Sequence, residues 1–159
     1  MELTPDPRPL LAQRLLARGW WLASAESCTG GMIAAACTDL AGSSRWFERG
    51  FVTYSNEAKT ELLGVPHALI DLQGAVSQPV AEAMALGALR RSKAQVAVAV
   101  TGIAGPGGGS AQKPVGTVWF AWAVPERCWS ECLCFDGDRA AVRLQTVRHA
   151  LQVLRDACA

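Results

Sequence analysis

Ser27, Tyr54 and Lys59 are the residues whose types and spacing support a chemistry. Ser27 sits in A-E-S-C-T-G-G at 25–31, where an apolar run turns into a helix and two glycines follow at once. Tyr54, the chain's only tyrosine, stands five residues before Lys59 in T-Y-S-N-E-A-K at 53–59, at a similar turn. A serine, a possible base and a glycine-rich loop are the parts of a serine hydrolase that uses no histidine. At pH 7 only about one part in 2,500 of a free lysine is neutral, so Lys59 must be buried or set beside a cation to act as base. Tyr54 could relay the proton or donate to a leaving group.

Other residues offer themselves as binders. Thr29, Gly30 and Gly31 permit close backbone approach, with N–H groups at the positive end of a helix. Cys28 lies beside Ser27 and is the thiol whose pKa such a helix end would lower. Thr101 and Gly102 open the glycine-rich loop 101–116 behind a continuous apolar strand. A loop of that length favours a functional role. Arg139 begins the last helix, an unfavourable place for a cation, and so suits a phosphate or carboxylate clamp. His67 and His149 carry no motif and read as solvated. Walker, dinucleotide and G-x-S-x-G patterns are all absent.

The elements that must position these residues follow from periodicity. Leucines at 10, 11, 15 and 16 predict a helix over 8–18, ended by Gly19. Strands are expected at 20–24, 46–54 and 95–100, and a hairpin at 117–124 and 129–135 around Pro125 and Glu126. Further helices are expected at 30–40, from Ser55 or Asn56 to Gly64, from Ser77 to about Arg91, and from Arg139 to about Arg155. This order argues a three-layer α/β/α domain with a mixed, mostly parallel sheet. Residues 1–159 read as one domain, with 1–7 as a loose leader. Ser27, Tyr54 and Thr101 then fall at strand carboxyl ends, where such sheets bind ligands.

Composition narrows the classes. The chain has 159 residues, is 50% hydrophobic and 18% charged, and carries a net charge of +1. That is a globular composition without the basic footprint of a nucleic-acid binder. No apolar run is long enough to span a bilayer, and the start lacks signal-peptide character, so the cytoplasm is expected. The six cysteines then read as reduced thiols. Cys128, Cys132 and Cys134 share one strand face but lack a second ligand pair, so no metal is expected.

Taken together, the motifs are similar to those of the CinA C-terminal domain family, which includes the nicotinamide-nucleotide amidases. The resemblance rests on A-E-S-C-T-G-G, on G-S-S-R-W-F-E-R-G-F-V-T-Y-S-N-E-A-K at 42–59 and on G-A-V-S at 74–77. It continues through T-G-I-A-G-P at 101–106, K-P-V-G-T-V at 113–118 and G-D-R at 137–139. It implies hydrolysis of nicotinamide mononucleotide to nicotinic acid mononucleotide and ammonia, in recycling of NAD, without a cofactor. It implies Ser27 as nucleophile assisted by Lys59 and Tyr54, with ligand contacts from Cys28 to Gly31, from Thr101 and Gly102, and from Arg139. It also implies a homo-oligomer, a dimer in the first instance. The competing expectations are a pyridine-nucleotide binder without catalysis and a competence-related interaction module.

Overall fold

The computed structural model describes residues 5–159. The first four positions of the expected leader lie outside the described residues; 5–7 are non-helical, with Asp6 paired to Arg8 at 2.8 Å.

Helix α1 (Arg8–Arg18) buries Leu11 and Leu15 and ends at Gly19, whose φ of 67° needs a residue without a Cβ. Leu10 and Leu16 stay exposed, so the apolar stripe is narrower than the leucine count suggests. Strand β1 (Leu22–Glu26) starts two residues later than the aromatic pair Trp20–Trp21 predicts. Trp21 spends its N–H on the Gln95 side chain, while every residue of Leu22–Glu26 is buried. Helix α2 (Met32–Thr38) is shorter than 30–40, because Gly30 and Gly31 take positive φ and hold the chain in a turn. Strand β2 (Phe47–Val52) leads to α3 (Asn56–Leu63), whose Ser55 cap accepts the Ala58 N–H.

A short helix, α4 (His67–Gln73), was not foreseen; Pro66 and Gly74 bound seven residues, too few for a clear period. Helix α5 (Gln78–Arg90), strand β3 (Val96–Gly102) and the hairpin of β4 (Thr117–Val124) and β5 (Arg127–Cys134) follow as expected, with Pro125 and Glu126 at the turn. Helix α6 (Arg139–Ala157) closes the order, its Asp138 cap accepting the Ala141 N–H.

The sheet order is β2-β1-β3-β4-β5. The pairs β2·β1 and β1·β3 are parallel, while β3·β4 and β4·β5 are antiparallel. Only β4 runs against the rest, so the sheet is mixed and mostly parallel. In β3, Val96, Val98 and Val100 face one core with α1, α2 and α6; Ala97 and Ala99 face the other with α3, α4 and α5. The valine side also takes Phe120 and Trp122, stacked at 5.4 Å, with the indole N–H donated to Ala150 O. Truncating such a buried aromatic to alanine costs about 3–5 kcal/mol.

This packing corrects the reading of His149. It is not solvated: its ring lies against Phe120, Trp122 and Phe135, and Nε2 sits 2.6 Å from Glu131 Oε1. His67 is exposed as expected. Cys128, Cys132 and Cys134 share one face of β5, opposite Ala123, Trp119 and Thr117. Among the described residues, no helix is long and apolar enough to cross a membrane.

Candidate active site

The parallel strands β1, β2 and β3 end side by side, and their exits build the site. Ser27 follows β1 directly. Its N–H donates to Val100 O on β3 at 3.1 Å, and its C=O accepts the Gly30 N–H at 3.1 Å. Beside it, β2 runs out through Thr53 and Tyr54 into α3, where Lys59 occupies the first full turn.

Lys59 points inward and is 1% exposed. Its Nζ lies 3.0 Å from Ser27 Oγ and donates to Thr53 O at 3.0 Å and Tyr54 O at 3.2 Å. Burial holds its pKa below the ordinary 10.5, against a smaller upward pull from Cys28. The count of partners matters. A neutral amine has two N–H donors and one lone pair. Two carbonyls take the two donors, which leaves the lone pair for the Ser27 hydroxyl.

A cavity of about 320 Å³ opens over this pair. Its wall includes Tyr54, Asn56, Val76, Thr101, Gly102 and Arg139. A wider groove of about 430 Å³ between Arg8, Ala36, Leu144 and Leu151 holds none of the candidate residues. Thr101 is buried and donates its hydroxyl to Ala75 O, tying β3 to the 74–77 wall. At Gly102 an added Cβ would stand 2.7 Å from Val118 Cγ2 and 3.2 Å from Cys28 Sγ, so only glycine fits there. Arg139 reaches over from α6, donating to Gly105 O at 2.9 Å and to the Tyr54 hydroxyl at 3.3 Å.

The structure therefore brings together Ser27, Cys28, Tyr54, Lys59, Thr101, Gly102 and Arg139. Thr29, Gly30 and Gly31 do not line the cavity. The helix end behind them is already taken: the Ile33 and Ala34 N–H groups donate to the Glu26 carboxylate, as does the Thr29 hydroxyl. The Cys28 expectation also needs correcting. Burial pushes its thiol up to about 11, the reverse of activation. The Tyr54 phenol meets Arg139; Lys59 reaches only its main-chain carbonyl.

Two functional-looking residues were missed in the sequence. Glu26 is the first; a carboxylate closing an otherwise small and apolar strand was the available signal. Arg143 is the second; it stands one turn after Arg139 and donates to Cys28 O at 3.1 Å and Thr29 O at 3.3 Å. The i, i+4 spacing places both arginines on one helix face.

A serine hydroxyl set against a buried lysine amine at the carboxyl edge of a mixed α/β sheet is the equipment of an acyl-transfer hydrolase. The chain belongs to the CinA C-terminal domain family, whose model matches residues 7–158. It is 60% identical over 139 residues to the nicotinamide-nucleotide amidohydrolase PncC of Enterobacter agglomerans, covering 87% of this chain and 85% of that one. Against the protein of the same name from Escherichia coli K12 it is 55% identical over 145 residues, covering 91% and 88%. A CinA superfamily structure from Enterobacter cloacae superposes with a TM-score of 0.93 at 31% identity, covering 100% and 96%.

Proposed function

We propose that the protein is a nicotinamide-nucleotide amidase of the cytoplasm, converting nicotinamide mononucleotide to nicotinic acid mononucleotide and ammonia. Its relatives at 55–60% identity carry that activity in their names. The observation that supports the chemistry is the 3.0 Å approach of Lys59 Nζ to Ser27 Oγ, with the other two directions at Nζ filled by carbonyls.

In this reading Ser27 Oγ attacks the carboxamide carbon as its proton passes to neutral Lys59. The pyridinium nitrogen withdraws electrons and eases the attack. The oxyanion is stabilised by main-chain N–H groups of the cavity wall, which Cys28, Gly102 and Ala104 help to line. The Lys59 ammonium then protonates the departing nitrogen, the C–N bond breaks, and ammonia leaves an acyl ester on Ser27. Water, deprotonated by Lys59, attacks the ester, and Ser27 recovers its proton. Arg139 at the mouth is suited to the substrate phosphate, since the α2 helix end is occupied by Glu26.

The test is ammonia release from nicotinamide mononucleotide by the wild-type protein and by Ser27→Ala, with no metal added. Release by the wild type and a loss of at least about 10³-fold in the variant are expected. Equal release by both proteins would overturn the covalent route. Tight binding of the nucleotide without release would make the protein a binder instead.

A further inference from the structure

Among the described residues Glu26 is the one buried carboxylate, and the proposed reaction does not use it. It is 0% exposed. Its partners are a hydroxyl and two main-chain N–H groups rather than a cation. Oε1 accepts from Thr29 Oγ1 and from the Ile33 N–H at 2.8 Å; Oε2 accepts from the Ala34 N–H at 3.1 Å. All three contacts are donors, the pattern that an ionised, acceptor-only carboxylate satisfies.

The geometry has a direct consequence for Ser27. Helix α2 has Gly31 at its N-cap position and so no cap side chain of its own. Glu26 supplies the cap from the last position of β1, five residues upstream. One side chain thus closes the loop 27–31 at both ends, binding residue 29 inside it and residues 33 and 34 beyond it. The loop contains two positive-φ glycines and would otherwise have wide conformational freedom. Further restraints are the two backbone bonds of Ser27, its contact with Lys59, the Met32 N–H on Thr29 O, the Ala35 N–H on Gly31 O, and the grip of Arg143 on Cys28 O and Thr29 O.

We propose that Glu26 is a positioning residue for the reaction: its carboxylate, capping α2 from the end of β1, fixes the 27–31 turn so that Ser27 Oγ faces Lys59. This rests on the reading of Ser27 as nucleophile. Glu26 does not line the cavity and is not among the hydrogen-bond partners of Lys59, so its effect passes through the backbone of the turn. A glutamine at this position presents one oxygen and one NH2 group. The NH2 group meets an N–H head-on and breaks one arm of the cap, while volume and shape are preserved. An aspartate keeps both oxygens on a shorter stem.

Two readouts separate this role from a purely structural one. In steady-state ammonia release, with folding of each protein checked by circular dichroism, Glu26→Gln is expected to lower kcat by about 10- to 100-fold and leave KM within about twofold. A displacement of about 1 Å at a reacting atom has an effect of that size. Glu26→Asp is expected to recover part of the loss. The second readout is the rate at which a fluorophosphonate labels Ser27, which needs no natural substrate and should fall in parallel. If Glu26→Gln does not fold, Thr29→Val removes one donor of the same cap and should reduce kcat severalfold at unchanged KM. Normal kcat in the folded variants, with Ser27→Ala inactive, overturns the role of Glu26 and leaves the nucleophile standing. A rise in KM at unchanged kcat overturns it too. Activity in Ser27→Ala removes the reading beneath it.

Discussion

The floor and the mouth of the cavity are built on opposite principles. At the floor, Ser27 is 7% exposed and Lys59 1% exposed, and nearly every polar atom has an assigned partner. At the mouth, Tyr54 is 61% exposed and Arg139 is solvent-facing, the two joined by one long contact of 3.3 Å. Burial at the floor lowers the pKa of the amine and so raises the share of it in the neutral, proton-accepting form. Such tuning is lost in water, so it belongs where water is excluded. Capture of a charged substrate needs the reverse: reachable groups that can adjust to it. Floor and mouth should therefore separate kinetically, the floor in kcat and the mouth in KM.

The sharpest way to break that division is Lys59→Met, which keeps the length of the side chain and deletes the base. We expect kcat to fall by about 10³-fold or more, with KM changed little. The wild-type pH profile carries the same point. Burial lowers the Lys59 pKa from 10.5, and the neutral form is the active one. So kcat/KM should rise about tenfold per pH unit on the acid side and level off at a pH below 10.5. A wild-type kcat/KM that shows no rise with pH anywhere on its acid side would remove lysine as the base. Next in size, Arg139→Ala should raise KM for the nucleotide by about 10- to 100-fold through loss of a charge-assisted contact, with kcat within a few-fold. Its penalty should shrink for the nucleoside, which has no phosphate; an equal penalty on both would detach Arg139 from the phosphate. The smallest change is expected of Tyr54→Phe, a few-fold in KM, because the phenol meets Arg139 and not the Ser27–Lys59 pair. A fall of about 100-fold in its kcat would restore the tyrosine relay.

The sequence shows the order of most elements along the chain and most of their ends because local rules govern them. Gly19 and Gly64 stop helices, Ser55 starts one, and Pro125–Glu126 turns a hairpin. Where tertiary demands win, the reading slips. Trp20 and Trp21 look like strand but lie at its approach, and α4 is too short to carry a period. His149 looks solvated because nothing in its neighbourhood announces the aromatic residues from β4 and the chain beyond β5. At the site, the residues at strand ends were legible from their turns. The occupation of the α2 helix end was not, since it depends on Glu26 folding back across a loop of glycines. Nor could the sequence show that Tyr54 turns its hydroxyl to a helix 85 residues away.

Tyr54 is also the only tyrosine in the chain. Fluorotyrosine incorporation therefore yields a single fluorine resonance, with no assignment to be made. Its probe stands at the mouth of the cavity and bonds to Arg139, so the signal reports on entry and departure of the nucleotide. The amine at the floor touches only the backbone of that residue, and the two regions of the site can be followed by separate instruments.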